Sequence, residues 1–146
     1  MYKKVLFSIL LLGLLNACAI NKNVVALEKP LQVKHICVKN NPQVLMKEGF
    51  LPELESQLHS HGIETLVFDG MIPQGCKYTL EYTANWAWDM AMYLTYMHLD
   101  LREAGNVIAS AEYDARRGGG NMNKFGHTSE KMRPLLDEML GKAQQQ

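Results

Sequence analysis

Tyr78-Thr-Leu-Glu-Tyr-Thr-Ala-Asn-Trp-Ala-Trp-Asp89, a second alternating segment running to Arg102, and a third ending Ala111-Glu-Tyr-Asp-Ala-Arg-Arg-Gly-Gly-Gly120 decide the fold. Tyr78, Leu80, Tyr82 and Ala84 alternate with Thr79, Glu81 and Thr83. Met97, Leu99 and Leu101 alternate with His98, Asp100 and Arg102, and Val107, Ala109, Ala111 and Tyr113 with Ser110, Glu112 and Asp114. A period of two places one set on a core face and the other in water. Three such segments with no helix between them predict an antiparallel meander. Glu103-Ala-Gly-Asn106 supplies one hairpin turn, with Gly105 and Asn106 able to take positive φ. The other reversal falls between Asn85 and Met90, where no Gly or Pro marks it.

Outward from the meander, Leu31 to Lys39 reads as a strand apolar on both faces at its centre, stopped by Asn40-Asn41-Pro42. Between Val44 and His61, Phe50, Leu51, Leu54 and Leu58 recur at helical spacing. Pro52 is placed near the first turn, Gly62 just past the end, and His59 and His61 as cations at the negative end of the helix dipole. Ile63 to Asp69 is a further strand, and Gly70 to Gly75 a loop. Thr128 is the expected cap of a last helix with the stripe Met132, Leu135, Leu136, Met139 and Leu140, with Pro134 awkward inside it. Gly141 closes that helix, and Ala143 to Gln146 is expected to fray. The expectation is an α+β fold of order β-α-β-β-β-α, a single sheet with an antiparallel meander covered on one face by two helices.

Three features suit chemistry or recognition. Trp86 and Trp88 sit at the unmarked reversal, where they either reach solvent as anchors for a protein, glycan or membrane, or fold over the sheet to complete the core; the latter is preferred. Arg116, Arg117, Gly118, Gly119, Gly120 and Asn121 combine two guanidiniums with a flexible backbone, a combination able to hold a phosphate or carboxylate. The Lys-Ser/Thr of a P-loop is missing, so a plain loop with arginines paired to Asp114 or Glu112 is the simpler expectation. Glu81, Asp89, His98 and Asp100 are the densest set of acids and bases, the basis of an alternative as a periplasmic hydrolase. No Gly-x-Ser-x-Gly nucleophile motif accompanies them, and a non-enzymatic protein is expected. Cys37 and Cys76 with His59 and His61 make a poor metal site, because histidines at i and i+2 do not share a helical face. No cofactor or metal is expected.

The N-terminus speaks to compartment. Met1-Tyr-Lys-Lys4 is a short basic segment, and Val5 to Leu15 an apolar core too short to span a bilayer, as in a signal peptide over residues 1–17. Leu15-Asn16-Ala17-Cys18 resembles the bacterial lipobox. That resemblance implies cleavage before Cys18, acylation of its sulfur and new amino group, and a stable membrane anchor. Ala19 rather than Asp after the cysteine resembles outer-membrane sorting, facing the periplasm. Residues 18–30 read as a lipidated N-terminus and tether, and residues 31–146 as one globular domain. Losing Lys3 and Lys4 leaves a small acidic excess in a chain whose formal net charge is +0, so nothing draws the domain to nucleic acid. Cys37 and Cys76 remain as an even pair in an oxidising compartment, and a disulfide between them stabilises the fold by about 3 to 4 kcal/mol in the chain-entropy model.

Tyr82-Thr-Ala-Asn-Trp-Ala-Trp-Asp89 and Asp114-Ala-Arg-Arg-Gly-Gly-Gly-Asn-Met-Asn-Lys-Phe125 together resemble an uncharacterised group of small proteobacterial lipoproteins, over most of the mature chain. The resemblance implies an envelope protein, with a possible envelope protein partner, and no activity. The expected order of elements is also similar to the N-terminal domain of TolB and to periplasmic activators of peptidoglycan synthases, a likeness of architecture alone.

Overall fold

The computed structural model describes residues 19–29, 34–44 and 46–141. The expected signal peptide, Cys18, the first residues of the strand expected from Leu31 and the tail Ala143 to Gln146 lie outside the described residues. The elements are β1 (Asn21–Val25), β2 (His35–Lys39), α1 (Lys47–Ser60), β3 (Glu64–Phe68), β4 (Tyr78–Asp89), β5 (Ala91–Glu103), β6 (Asn106–Asp114), a 3-10 turn (Met122–Lys124) and α2 (Thr128–Met139). They form a mixed α+β fold with one six-stranded sheet in the order β1-β6-β5-β4-β2-β3. β2 is parallel to both β3 and β4. The remaining pairs are antiparallel.

The order β-β-α-β-β-β-β-α is longer than expected by two strands. All three meander strands follow the β2-α1-β3 unit, where the expected string had room for two. The other addition is β1, in the segment expected as a tether. Its run Asn-Lys-Asn-Val-Val is mostly exposed and has no amphipathic signal. It is a strand because β6 offers it a ladder, from Asn21 opposite Asp114 to Val25 opposite Ser110. Leu27 N–H then donates to Met139 O at 3.0 Å, tying this segment to the end of α2. The folded unit therefore starts before residue 31.

The meander alternates as its sequence requires. Leu80, Tyr82 and Ala84 stand opposite Leu101, Leu99 and Met97, which stand opposite Ala109, Ala111 and Tyr113. These residues are buried, in one cluster with Ile36 and Val38 of β2, Phe50, Leu54 and Leu58 of α1, and Met132, Leu135, Leu136 and Met139 of α2. Phe50 stacks on Tyr82 with ring centroids 5.3 Å apart. Each fully buried Leu is worth about 1.5 to 3 kcal/mol against exposure, so this layer is the main source of stability. Val107, expected on that face, is 47% exposed at the start of β6.

The helix ends differ from their expected form. α1 begins at Lys47, so Pro52 lies inside it, beyond the first turn. His127, not Thr128, is the N-cap of α2, and no side chain caps it; Thr128 is the first helical residue. Pro134 lies inside α2, and Glu130 lies in its first turn. His59 and His61 do not act as dipole caps alone. His61 Nε2 is 2.8 Å from Asp137 Oδ1, binding α1 to α2, and His59 Nε2 is 3.0 Å from Thr65 Oγ1 on β3.

The two meander turns are tight. Asp89 pairs with Ala91, leaving Met90 at the tip with φ 61°. The second turn uses Ala104 (φ 49°) and Gly105 (φ 83°), one residue earlier than expected, with Asn106 already in β6. Cys37 and Cys76 stand at disulfide distance, with sulfurs 1.93 Å and Cα atoms 5.9 Å apart, between β2 and the residues leading into β4.

Candidate functional site

Alternation that buries Leu99 and Leu101 sends His98, Asp100 and Arg102 to the opposite face of β5. Register brings Glu81 of β4 opposite Asp100 and Glu112 of β6 opposite His98. The outcome is a ladder of alternating charge across four strands. Lys39 Nζ donates to Glu81 Oε1 at 3.1 Å. Arg102 Nε lies 3.1 Å from Glu81 Oε2, off the line of a hydrogen bond, while its Nη2 donates to Asp100 Oδ2 at 3.1 Å. His98 Nε2 is 3.0 Å from Asp100 Oδ1, and its Nδ1 is 3.5 Å from Glu112 Oε2. Tyr96 donates its hydroxyl proton to Glu112 at 2.9 Å. Burial and this bond to a carboxylate push the Tyr96 phenol above its ordinary range.

A cleft of about 340 Å³ opens beside this ladder, lined by Lys39 to Gln43, Glu81 to Thr83, His98 and Asp100. Its wall is the turn after β2. Asn41 Nδ2 donates to Tyr82 O at 2.8 Å, and Asn41 N–H to the Tyr82 hydroxyl at 3.3 Å. Asn41 Oδ1 accepts from Gln43 N–H at 3.0 Å, the Asx turn expected of Asn before Pro. Asn40 donates to Asp69 at 2.9 Å and keeps a buried Oδ1 without a hydrogen-bond partner. Sequence reasoning named Glu81, His98 and Asp100 but missed Lys39, Asn40, Asn41 and Thr83. Only the parallel pairing of β2 with β4 brings these together, and no local pattern announces it.

Asp89 is not part of that set. It sits at the far tip, where Lys124 Nζ donates to its Oδ2 at 2.5 Å and to Gly119 O at 2.5 Å. Among the described residues no group of three or more His, Cys, Asp or Glu side chains is arranged to hold a metal ion. His59 and His61 have the protein partners given above, and Cys37 and Cys76 face each other.

The two tryptophans part company. Trp86 packs edge-on against Phe50, centroids 5.8 Å apart, and is half-buried against the core. Trp88 is 72% exposed, beside Met90 at 82% and its register partner Met92 at 52%. A bulge at Asn85/Trp86 precedes both, so the two share one face of the hairpin; Trp86 still reaches Phe50, and Trp88, two residues nearer the tip, does not.

The Arg-Gly loop is largely committed to itself. Arg116 clasps Asp114 through Nε to Oδ1 at 2.9 Å and Nη2 to Oδ2 at 2.6 Å, and its guanidinium lies 4.4 Å from the Tyr96 ring. That clasp holds the Asp114 carboxyl below the usual carboxylate range. Gly118 N–H donates to Ala115 O, and Asn121 N–H to Gly118 O. Two of the amides that would greet an anion are therefore occupied. A Cβ on Gly118 would meet Ala115 O at 2.9 Å, so this glycine lets the loop turn close over its own backbone, with Ile20 of the N-terminal segment at ordinary contact distance beside it, 3.6 Å from the same position. Arg117 and Gly120 are exposed.

No family model matches the chain, and comparison with curated proteins finds no match. Among solved structures, a methionine-substituted PelC dodecamer from Paraburkholderia phytofirmans superposes with a TM-score of 0.53 at 15% identity, covering 80% of this chain and 97% of that one. The PelC dodecamer of the same organism in another crystal form superposes with a TM-score of 0.53 at 13% identity and the same coverage. At such identities the likeness is one of fold. The solved neighbours are thus PelC chains rather than the TolB domain whose architecture the sequence suggested.

Proposed function

We propose that this chain is a bacterial envelope lipoprotein, cleaved before Cys18, acylated there and held on the periplasm-facing side of the outer membrane as a non-enzymatic binding or accessory module. The observation that carries this is the pairing of Cys37 with Cys76 at disulfide distance in a chain whose remaining cysteine, Cys18, closes a lipobox-like sequence. Cysteines that meet as a pair suit an oxidising compartment. Both helices lie over the apolar face of the sheet in this proposal, leaving the ladder from Lys39 to Glu112 and its cleft open to a partner or ligand. A face of alternating charge favours specificity and correct register of a partner over raw affinity.

The PelC chains of similar fold are dodecamers. The two edge strands, β1 and β3, leave backbone groups with which copies of this chain can pair, and self-association is part of the proposal. Light scattering of the purified lipoprotein tests it, a monomeric mass counting against it.

The hydrolase alternative keeps one supporting observation: His98 and Asp100 are 3.0 Å apart beside a cleft that Thr83 also lines. Against it, Asp100 holds one imidazole nitrogen, and the other, Nδ1, is buried 3.5 Å from Glu112 Oε2 with no hydroxyl bonded to it. Hydrolysis of a panel of ester, amide and glycoside probes that disappears in His98→Ala would restore it. The lipoprotein assignment is tested by metabolic labelling with a radioactive fatty acid. Wild type incorporates label and Cys18→Ser does not; equal labelling of both, or of neither, overturns it.

A further inference from the structure

The strand register fixes at which end of the sheet the described chain enters it. Asn21 stands opposite Asp114, Asp114 opposite Tyr96, and Tyr96 opposite Asn85. β1 runs antiparallel to β6, β6 to β5, and β5 to β4, so β1 starts at the end of the sheet toward which β4 runs. Cys18 is three residues before that level. Trp88 is three residues beyond it, about 10 Å at the rise of a strand. Ile20 touches the position a Gly118 Cβ would fill, and the same loop is bound to the hairpin tip through Lys124, Gly119 and Asp89.

At this end Trp88, Met90, Met92 and Met122 are 72%, 82%, 52% and 70% exposed respectively. Four large apolar side chains in water at one end of a small domain mark a surface that something covers. We propose that the β4–β5 tip is a membrane-contacting surface: with Cys18 acylated, Trp88, Met90 and Met92 dip into the headgroup region of the leaflet that holds the acyl chains. The chemistry fits. Tryptophan concentrates at the membrane interface, where its ring is apolar and its N–H is wet, and the exposed Arg117 on the neighbouring loop suits lipid phosphates. The short path from Cys18 to β1 leaves little slack, so the anchor itself presses this tip to the bilayer. The consequence is an orientation, with the sheet standing on its β4–β5 tip and the charged cleft held away from the lipid.

This inference rests on the acylation of Cys18, and the test separates the two. The full chain is produced in a bacterium that processes lipoproteins, reconstituted into phosphatidylcholine vesicles with and without brominated acyl chains, and read by tryptophan emission. Three forms are compared: wild type, Trp86→Phe and Trp88→Phe. The expected result is that bromolipid lowers the emission of Trp86→Phe, which keeps Trp88, by about twofold or more, and leaves Trp88→Phe nearly unchanged. Vesicle-bound, acylated protein whose Trp88 is not quenched overturns the membrane contact alone. Trp88 emission that instead shifts with protein concentration assigns the tip to a second copy and also overturns it. Protein with an unacylated N-terminus that fails to float with the vesicles overturns both proposals.

Discussion

The two hairpin tips of the meander lie at opposite ends of one shared strand, β5, and have almost nothing else in common. At one, Trp88, Met90 and Met92 are exposed around a turn with Met90 at φ 61°. At the other, Ala104 and Gly105 make the turn, Lys77 Nζ lies 2.9 Å from Glu103, and Arg102 Nη1 donates to Gly105 O at 3.1 Å. The first exposes apolar surface without a partner of its own, and the second is laced with charge. Strand pairing tolerates either ending equally, so pairing alone does not account for the difference; under the proposal made above, the apolar tip meets lipid and the charged one water.

The largest expected effect is at the charged end, where Cys37 and Cys76 join β2 to the start of β4. Cys37→Ser, or reduction of the wild type, lowers stability by about 4 kcal/mol for a loop of this length, read as a fall in urea midpoint. If that change leaves the midpoint where it was, the two sulfurs are not bonded in the native protein.

The next separates the apolar tip from the core beside it. Trp86→Ala removes a half-buried ring from Phe50 and costs about 2 kcal/mol. Trp88→Ala, two residues on, stays within about 0.5 kcal/mol of wild type. Equal losses would mean that Trp88 is core in solution and the tip comparison is wrong.

Much of this was legible from alternation and stripes. The faces of β4, β5 and β6 follow from Leu80, Leu99 and Ala111, and the buried side of α2 from Met132, Leu136 and Met139, because burial enforces those periods. β1 was not legible: Asn21 to Val25 sits at an edge, held by backbone bonds that any residues but proline can make. The Met90 turn was hidden for a related reason, since a left-handed Met carries no turn signature. The cleft was legible on its β4 and β5 side and lost on the side of Asn40 and Asn41, which reach Tyr82 and Asp69 across a distance in sequence that no window spans. The tryptophans, expected together as core, divide because only Trp86 lies within reach of Phe50 on the helix, a long-range contact that leaves no mark in a pattern of types.

A smaller effect compares the turns directly. Ala104→Gly removes a left-handed alanine and raises stability by about 0.5 to 1 kcal/mol, and Met90→Gly does the same in solution. The two differ in vesicles, where Met90→Gly weakens quenching of Trp88 by bromolipid and Ala104→Gly does not.

The smallest is a pH effect at Asp114, near the apolar tip. Its folded pKa is depressed by Arg116. Its contribution is therefore complete above the unfolded value of about 3.9 and lost as pH falls through the lower folded value. Asp114→Asn should flatten the acid arm of the urea midpoint against pH by lowering the neutral midpoint slightly and leaving the most acid region nearly unchanged; an unaltered acid arm would show that the clasp seen here is not kept in solution.

The most direct test of the account is the mass of the protein recovered from the bacterial envelope, treated with a thiol alkylator before and after reduction. The account predicts a chain that begins at Cys18, carries acyl chains on that residue, and takes up two alkyl groups only after reduction. A chain that retains Met1 and alkylates at Cys37 and Cys76 without reduction would contradict it.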